Sequence, residues 1–331
     1  MSLSKRRISY SLAINEAFHQ LMSEDPSVFL IGQGVRSPWY VGNTTQGLAE
    51  KFGPERVIDT PVSENAMTGA AVGAALVGMR PVVVHPRMDF MLYALDPIIN
   101  EGANWHYMFG GRCPVPVVIW GIINRGGEQA AQHSQAFQAM FAHVPGLKVI
   151  MPSTPYDAKG LLIAAIRDDN PVIYIDDRWL YCLEEIVPKE KYEIPIGKGI
   201  IRRKGDQVTV VASSYLVHEA LKAAAILLDE EGISSEVIDL RSIKPMDTDL
   251  IAASVKKTGR LVVADAAWRT CGVAGEIAAI AAETLLANLE APVQRVTLPD
   301  VPAPASRSLE KVYYPSVPDI IRGIHKVIAC R

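Results

Sequence analysis

Thr60-Pro61-Val62-Ser63-Glu64 places a carboxylate after a short β-branched run and at the head of an alanine-rich stretch with helical spacing. One reading is purely structural, because an acidic group in a first helical turn complements the positive end of the helix dipole. The chemical reading comes from position. Open α/β sheets hold ligands outside the carboxyl ends of their strands, and a carboxylate there can share a proton with a ring nitrogen. Gln132-His133-Ser134-Gln135 lies in a Gly- and Gln-rich loop after another apolar run. Histidine titrates near neutrality, so His133 is a candidate acid or base beside its ordinary reading as a packing residue. His85-Pro86-Arg87-Met88-Asp89 follows a further strand and offers a cation either to an anion or to Asp89.

Other chemistries lose their usual signals. Gly32-Gln33-Gly34 follows a strand, but Val35-Arg36-Ser37-Pro38-Trp39 cannot open the glycine-cradled helix of a dinucleotide site. Gly272-Val273-Ala274-Gly275 lacks the third glycine, and both stretches read as turns and tight helix packing. There is no phosphate-binding P-loop and no Gly-x-Ser-x-Gly nucleophile elbow.

The elements that must position these residues alternate along the chain. Apolar runs at 28–32, 56–59, 81–84, 115–120, 147–151 and 172–175 predict strands. They are nearly continuous in apolar character, as a parallel sheet covered on both faces requires. Helical spacing falls at 9–22, 45–52, 63–77, 88–108 and 156–167. Ser63 is placed as an N-cap, Gly53 and Gly78 as helix stops, and Asp96-Pro97 as a cap and first-turn proline restarting a helix. A charged, Pro-bearing stretch at 186–200 reads as a linker. Beyond it, strands at 208–213, 235–239, 260–265 and 293–298 alternate with helices at 217–231, 248–257, 274–287 and 317–328. The fold class is α/β, two doubly wound domains at 1–185 and 201–331. Gly69 and Gly73 lie on one face of the helix after Glu64 with Ala66, Ala70 and Ala74. Interior helix glycine costs about 0.5–1 kcal/mol relative to alanine, so a close backbone crossing, within the chain or with a second one, should offset it.

Composition limits the partners. The chain has 331 residues, and 33 Lys plus Arg against 36 Asp plus Glu gives 33 − 36 = −3. That balance argues against nucleic acid, whose nonspecific binding needs clustered cations. Cys113, Cys182, Cys271 and Cys330 are scattered without zinc spacing, which fits a reducing compartment. No apolar run approaches the roughly 18 residues of a membrane span. Lys5-Arg6-Arg7 has no apolar segment behind it, so the expectation is a cytoplasmic chain with no membrane contact.

At this point the motifs form a recognisable set. RVIDTPVSE (56–64), QHSQ (132–135) with HVPGLKV (143–149), PSTPYDAKG (152–160), AIRDDNP (165–171) and DLRSIKPMD (239–247) resemble the β subunits of the thiamine-diphosphate decarboxylase component of 2-oxoacid dehydrogenase complexes. Pyruvate, branched-chain and acetoin dehydrogenases have such subunits, and the likeness runs in order through nearly the whole chain. It implies a pyrimidine-binding domain followed by a transketolase C-terminal-like domain. It also implies oxidative decarboxylation of a 2-oxoacid with acyl transfer to lipoyl.

The resemblance assigns roles. Glu64 matches the glutamate that hydrogen-bonds the thiamine pyrimidine and promotes its reactive tautomer. His133 matches a histidine near the thiazolium, for proton handling or acyl transfer. Val62 lines the pyrimidine, and Met88 stands where an aromatic normally stacks on it, with sulfur–aromatic contact as the substitute. A structural potassium site falls on Val117, Ala165, Ile166, Asp168 and Asn170, largely through carbonyls. The Gly-Asp-Gly run that holds diphosphate and magnesium is missing. The resemblance therefore implies half an active site, completed by an α subunit in an α2β2 assembly with a β–β contact and, for acyl transfer, a lipoyl acyltransferase core. Gln33-Gly34 replaces the family's acidic pair, and His85-Pro86-Arg87 replaces bland residues. These departures point to a side branch with a more polar or anionic substrate, with His85 and Arg87 as its candidate contacts. They also leave open a split transketolase or acyloin-type carboligase, and a noncatalytic assembly module.

Overall fold

Continuous apolar runs become strands buried on both faces, and the carboxyl ends of those strands carry the polar residues singled out above. The computed structural model describes residues 6–37 and 39–330. Lys5 of the basic start and Pro38 of the run after Gly34 lie outside the described residues. The chain divides into two units, Met1–Arg125 with Met140–Ile196, and Gly126–Ala139 with Gly197–Arg331.

In the first unit, β1 (Arg7–Ser9) leads into α1 (Tyr10–Glu24), which Ser9 caps by accepting from the Leu12 N–H. There follow β2 (Val28–Gly32), α2 (Leu48–Phe52), β3 (Val57–Asp59), α3 (Glu64–Leu76), β4 (Arg80–His85), α4 (Asn104–Met108) and β5 (Val118–Ile123). After α5 (Gln138–His143) come β6 (Lys148–Ile150), α6 (Pro155–Arg167), β7 (Val172–Asp177) and β8 (Glu184–Ile186). The strands align in the order β6-β7-β5-β4-β2-β3, all parallel. β8 instead pairs antiparallel with β1. Trp120, Tyr174, Phe18, Ile14 and Leu30 fill the core. Lys159 is buried on α6, where its ammonium reaches Glu16 at 2.7 Å and the carbonyls of Pro188, Lys189 and Glu190.

The second unit contains β9 (Ile200–Arg203), β10 (Val208–Ala212), α7 (Tyr215–Glu231), β11 (Ser235–Asp239), β12 (Ser242–Lys244), α8 (Thr248–Thr258), β13 (Leu261–Trp268), α9 (Val273–Thr284), β14 (Gln294–Leu298), α10 (Arg307–Tyr313) and α11 (Val317–Ile328). Its order is β14-β13-β10-β11-β9, parallel except for β9 on the edge. Among the described residues no helix is long and apolar enough to cross a membrane.

Several local expectations change. The stretch 88–108 is not one helix but a 3-10 segment (Met88–Ala94), a π segment (Pro97–Ala103) and the short α4. Asp96 takes the N-cap position of the π segment with Pro97 in its first turn, as expected, but its side chain makes no capping bond. It is itself helical at φ −61°, and its carboxylate accepts from Asn100 Nδ2 at 2.6 Å. Ser63 occupies the N-cap position of α3, but its side chain makes no capping bond. Gly53 and Gly78 do end helices, at φ +80° and +94°. β5 starts three residues later than its apolar run, because Val115 and Val117 use their N–H groups on Asp169 and Val115 carbonyls before the ladder begins.

Candidate active site

Because the strands of the first unit are parallel, the segments after β2, β3, β4 and β7 leave from the same edge of its sheet. Glu64 opens α3 just after β3 and is 9% exposed. No described residue donates a hydrogen bond to its carboxylate. With no donor bound to it among the described residues, this carboxylate is free to take a hydrogen bond from a ligand, and the positive end of α3 favours an acidic group at this position.

Thr68 lies four residues after Glu64, on the same face of α3, and its Oγ1 is 3.1 Å from His85 Nε2. That bond ties the carboxyl end of β4 to the face carrying Glu64. His85 is fully buried, its Nδ1 has no hydrogen-bond partner among the described residues, and burial pushes its pKa down to about 3. The ring is neutral, so the cation of His85-Pro86-Arg87 is Arg87 alone. Arg87 Nη1 donates to the Pro86 carbonyl at 2.7 Å. Met88 is fully buried, and a Cβ added at Gly121 would stand 3.4 Å from its Cγ and 2.4 Å from Met91 Sδ. The stem of the Met88 side chain is therefore packed against β5. Val62 is 67% exposed. A carboxyl group and a soft sulfur side chain suit an aminopyrimidine, with one group for a ring nitrogen and one for a ring face.

His133 is half-buried in a turn of the segment Gly126–Ala139, which groups with the second unit. The segment is held there by Glu310 Oε1, which accepts from the Glu128 N–H at 2.9 Å. Gln138 Nε2 donates to Asp265 Oδ1 at 2.8 Å, and Phe137 meets Trp268 edge-on. Glu128 and Ala130 take φ of +64° and +60°, an uncommon conformation outside glycine of the kind found at functional sites.

The residues matched to a potassium site gather at the end of α6 and the approach to β5. The Ile166 and Asp168 carbonyls accept from Arg80 Nη1 at 3.0 and 3.1 Å. Asp168 pairs with Lys148 and accepts from the Asn170 N–H at 2.9 Å. The Ala165 and Val117 carbonyls accept from the N–H groups of Asp168 and Val172. Two of these carbonyls are thus taken by a cation, the Arg80 guanidinium, and Lys148 neutralises Asp168, so the group does not fit a second monovalent cation. Among the described residues, no three His, Cys, Asp or Glu side chains group as metal ligands.

Sequence reasoning passed over Arg178 and Tyr40. Arg178 follows Asp176 and Asp177 at the end of β7, and its Nη2 donates to the Tyr40 carbonyl. Three charged residues closing an apolar strand are a signal that Asp176-Asp177-Arg178 carried in plain view.

The fold and this edge define a class. Residues 6–182 match the family "Transketolase, pyrimidine binding domain", and 197–320 match "Transketolase, C-terminal domain". The chain belongs to the transketolase family, on the branch of the β subunits of pyruvate and acetoin dehydrogenase E1 components. It is 45% identical to the acetoin:2,6-dichlorophenolindophenol oxidoreductase subunit beta of Cupriavidus necator, over 98% of each chain. It is 44% identical to the pyruvate dehydrogenase E1 component subunit beta of Rickettsia felis, over 97% of this chain and 98% of the relative. A solved split-gene transketolase, described as an inactive β4 tetramer, superposes with a TM-score of 0.79 at 23% identity, covering 98% of this chain and 99% of that one. That likeness concerns the fold.

Proposed function

We propose that this chain is the β subunit of a thiamine-diphosphate-dependent 2-oxoacid dehydrogenase, carrying the pyrimidine half of the cofactor site. The supporting observation is Glu64, a nearly buried carboxylate without a hydrogen-bond partner at the start of α3, inside the matched pyrimidine-binding domain. Thiamine diphosphate, once bound, supplies the carbon nucleophile for a 2-oxo carbon and the ring that takes up electrons as carbon dioxide leaves. Glu64 would hold a proton at a pyrimidine nitrogen, and Met88 and Val62 would serve the ring itself. His133 handles a proton or the passage of the acyl group to lipoyl, on the strength of its matching Gln-His-Ser-Gln string. The chain has no Gly-Asp-Gly run, so diphosphate and magnesium fall to an α subunit in an α2β2 assembly. At the Val117, Ala165, Ile166, Asp168 and Asn170 group, matched to a structural potassium site, the Arg80 guanidinium takes the place of the ion.

The test uses the chain co-purified with its native partner. Thiamine-dependent release of carbon dioxide is measured over a panel of 2-oxoacids with an artificial electron acceptor. Glu64→Gln should retain cofactor binding and lose about 10²–10⁴-fold in turnover, the range of a positioned acid–base group. Unchanged turnover removes the role given to Glu64. A wild-type complex inert toward every 2-oxoacid removes the function.

A further inference from the structure

Three segments leave the carboxyl edge of the first unit's sheet, and two of them carry guanidinium groups near enough for one charge to act on the other. Arg87 follows β4 and Arg178 follows β7, while Tyr40 comes from the segment after β2 and receives Arg178 on its carbonyl. Tyr40 is fixed in turn. Gln33 Nε2 donates to its hydroxyl at 3.1 Å, and a Cβ at Gly34, where φ is +70°, would stand 2.1 Å from its ring. Gln33-Gly34, the dipeptide that departs from the family pattern, thus builds the support for Arg178.

The two arginines are short of acceptors. Among the described residues their hydrogen-bond acceptors are main-chain carbonyls, Pro86 for Arg87 and Tyr40 for Arg178, which carry no net charge. The Nε atoms of both are buried with no hydrogen-bond partner among the described residues. Of the nearby carboxylates, Asp89 pulls on Arg87 and Asp176 on Arg178, and two have other partners as well. Asp177 is paired with Arg125 at 2.6 Å, both side chains fully buried, and Asp176 accepts from the Tyr181 hydroxyl at 3.0 Å. Burial pushes the Asp176 pKa up to about 7, so it supplies only a partial charge near neutrality. Arg87 is held below its ordinary pKa, first by burial and next by the Arg178 charge, against smaller individual pulls from Tyr40, Asp89 and Tyr181. Two sheltered guanidiniums that repel each other are stabilised by an oxyanion that accepts from both, the geometry in which arginine excels.

We propose that Arg87 and Arg178 form a seat for an oxyanion, a carboxylate or phosphate, at the end of the substrate remote from its reacting carbonyl. That the oxyanion belongs to the substrate rests on the function proposed above; the seat itself does not. The substrate class is then a 2-oxo compound with a second anionic group rather than pyruvate.

The experiment uses the complex with its α partner, saturated with thiamine diphosphate and magnesium so that the diphosphate site is filled. Inorganic phosphate is the first probe, read as a concentration-dependent rise in melting temperature. The wild type should show the rise, and Arg87→Gln and Arg178→Gln should each lose it. The second measurement is the ratio of kcat/KM for 2-oxoglutarate, or for a phosphorylated 2-oxo substrate, to that for pyruvate. Whichever anion fits should be favoured in the wild type, and each variant should lower that ratio by about tenfold or more, the size of a charge-assisted hydrogen bond. Arg87→Lys, which keeps charge without the fork, should fall between. A wild type without the phosphate response, or variants that keep both the response and the ratio, overturns the seat. A complex inert toward every 2-oxoacid but still showing an arginine-dependent phosphate response overturns the function and leaves the seat standing.

Discussion

At the carboxyl edge of the second unit's sheet, Asp265 accepts from Gln138 Nε2 at 2.8 Å and from the Ala274 N–H at 3.3 Å. Asp239 there accepts from the Arg202 guanidinium at 2.9 Å and from the Arg241 N–H at 3.1 Å. At the corresponding edge of the first unit, Glu64 accepts from no described residue, and the Nε atoms of Arg87 and Arg178 donate to none. Both edges belong to parallel sheets with polar residues after the strands. The second satisfies its carboxylates internally and so uses them to hold loops and the start of α9. The first leaves its polar groups open, which costs stability unless a ligand or partner completes them. Architecture alone does not locate chemistry; the state of the hydrogen bonds does.

The comparison breaks first at the satisfied groups. Arg125 and Asp177 lie in the first unit but behave like the second unit's pairs, so Arg125→Met should strand a buried carboxylate. A loss of about 3–5 kcal/mol is expected, the cost of halving a buried ion pair, read by chemical denaturation of the chain. Asp265→Ala should cost about 1–3 kcal/mol, because it orphans the Gln138 amide and a helix N–H. Glu64→Ala should leave stability within about 0.5 kcal/mol while removing thiamine-dependent turnover. If Glu64→Ala destabilised the chain as much as Asp265→Ala does, the distinction between the two edges would disappear.

Much of the fold was legible because buried parallel strands are continuous apolar runs. The 235–239 strand and the 317–328 helix match the structure in full. The stretch 88–108 was misread because its spacing is helical on average, whereas Met88–Ala94 and Pro97–Ala103 wind tighter and wider than an α-helix. Glu64, His85 and Arg87 could be picked out by their places after strands. Arg178 could not be weighed without knowing that Tyr40 and Arg87 come beside it, since that neighbourhood joins three segments distant in sequence. The grouping of Gly126–Ala139 with the second unit was equally hidden. Its ties to Asp265, Trp268 and Glu310 are long-range, and nothing local in a Gly- and Gln-rich loop announces them.

Two smaller effects sharpen the contrast. His85 is buried neutral with a pKa of about 3 against an ordinary 6.5. Its stabilising contribution is therefore present above pH 6.5 and lost as pH falls toward 3, because the unfolded chain takes up the proton first. The expected slope is roughly 1.4 kcal/mol per pH unit within that window, and His85→Asn should flatten the acid limb of a stability–pH profile by that amount. The smallest effect concerns α3. Among the described residues a Cβ at Gly73 would meet nothing within 4 Å, and at Gly69 only Pro97 Cβ at 4.0 Å, so they do not supply the close crossing expected from those glycines. Gly73→Ala should then stabilise the isolated chain by about 0.5–1 kcal/mol, the ordinary gain in a helix interior. In the assembled complex the same methyl should bring no gain, because a packed partner would have to move aside. Melting temperatures of the chain alone and with its α partner make that comparison, and an equal rise in both would show that Gly73 is uncovered in the assembly too.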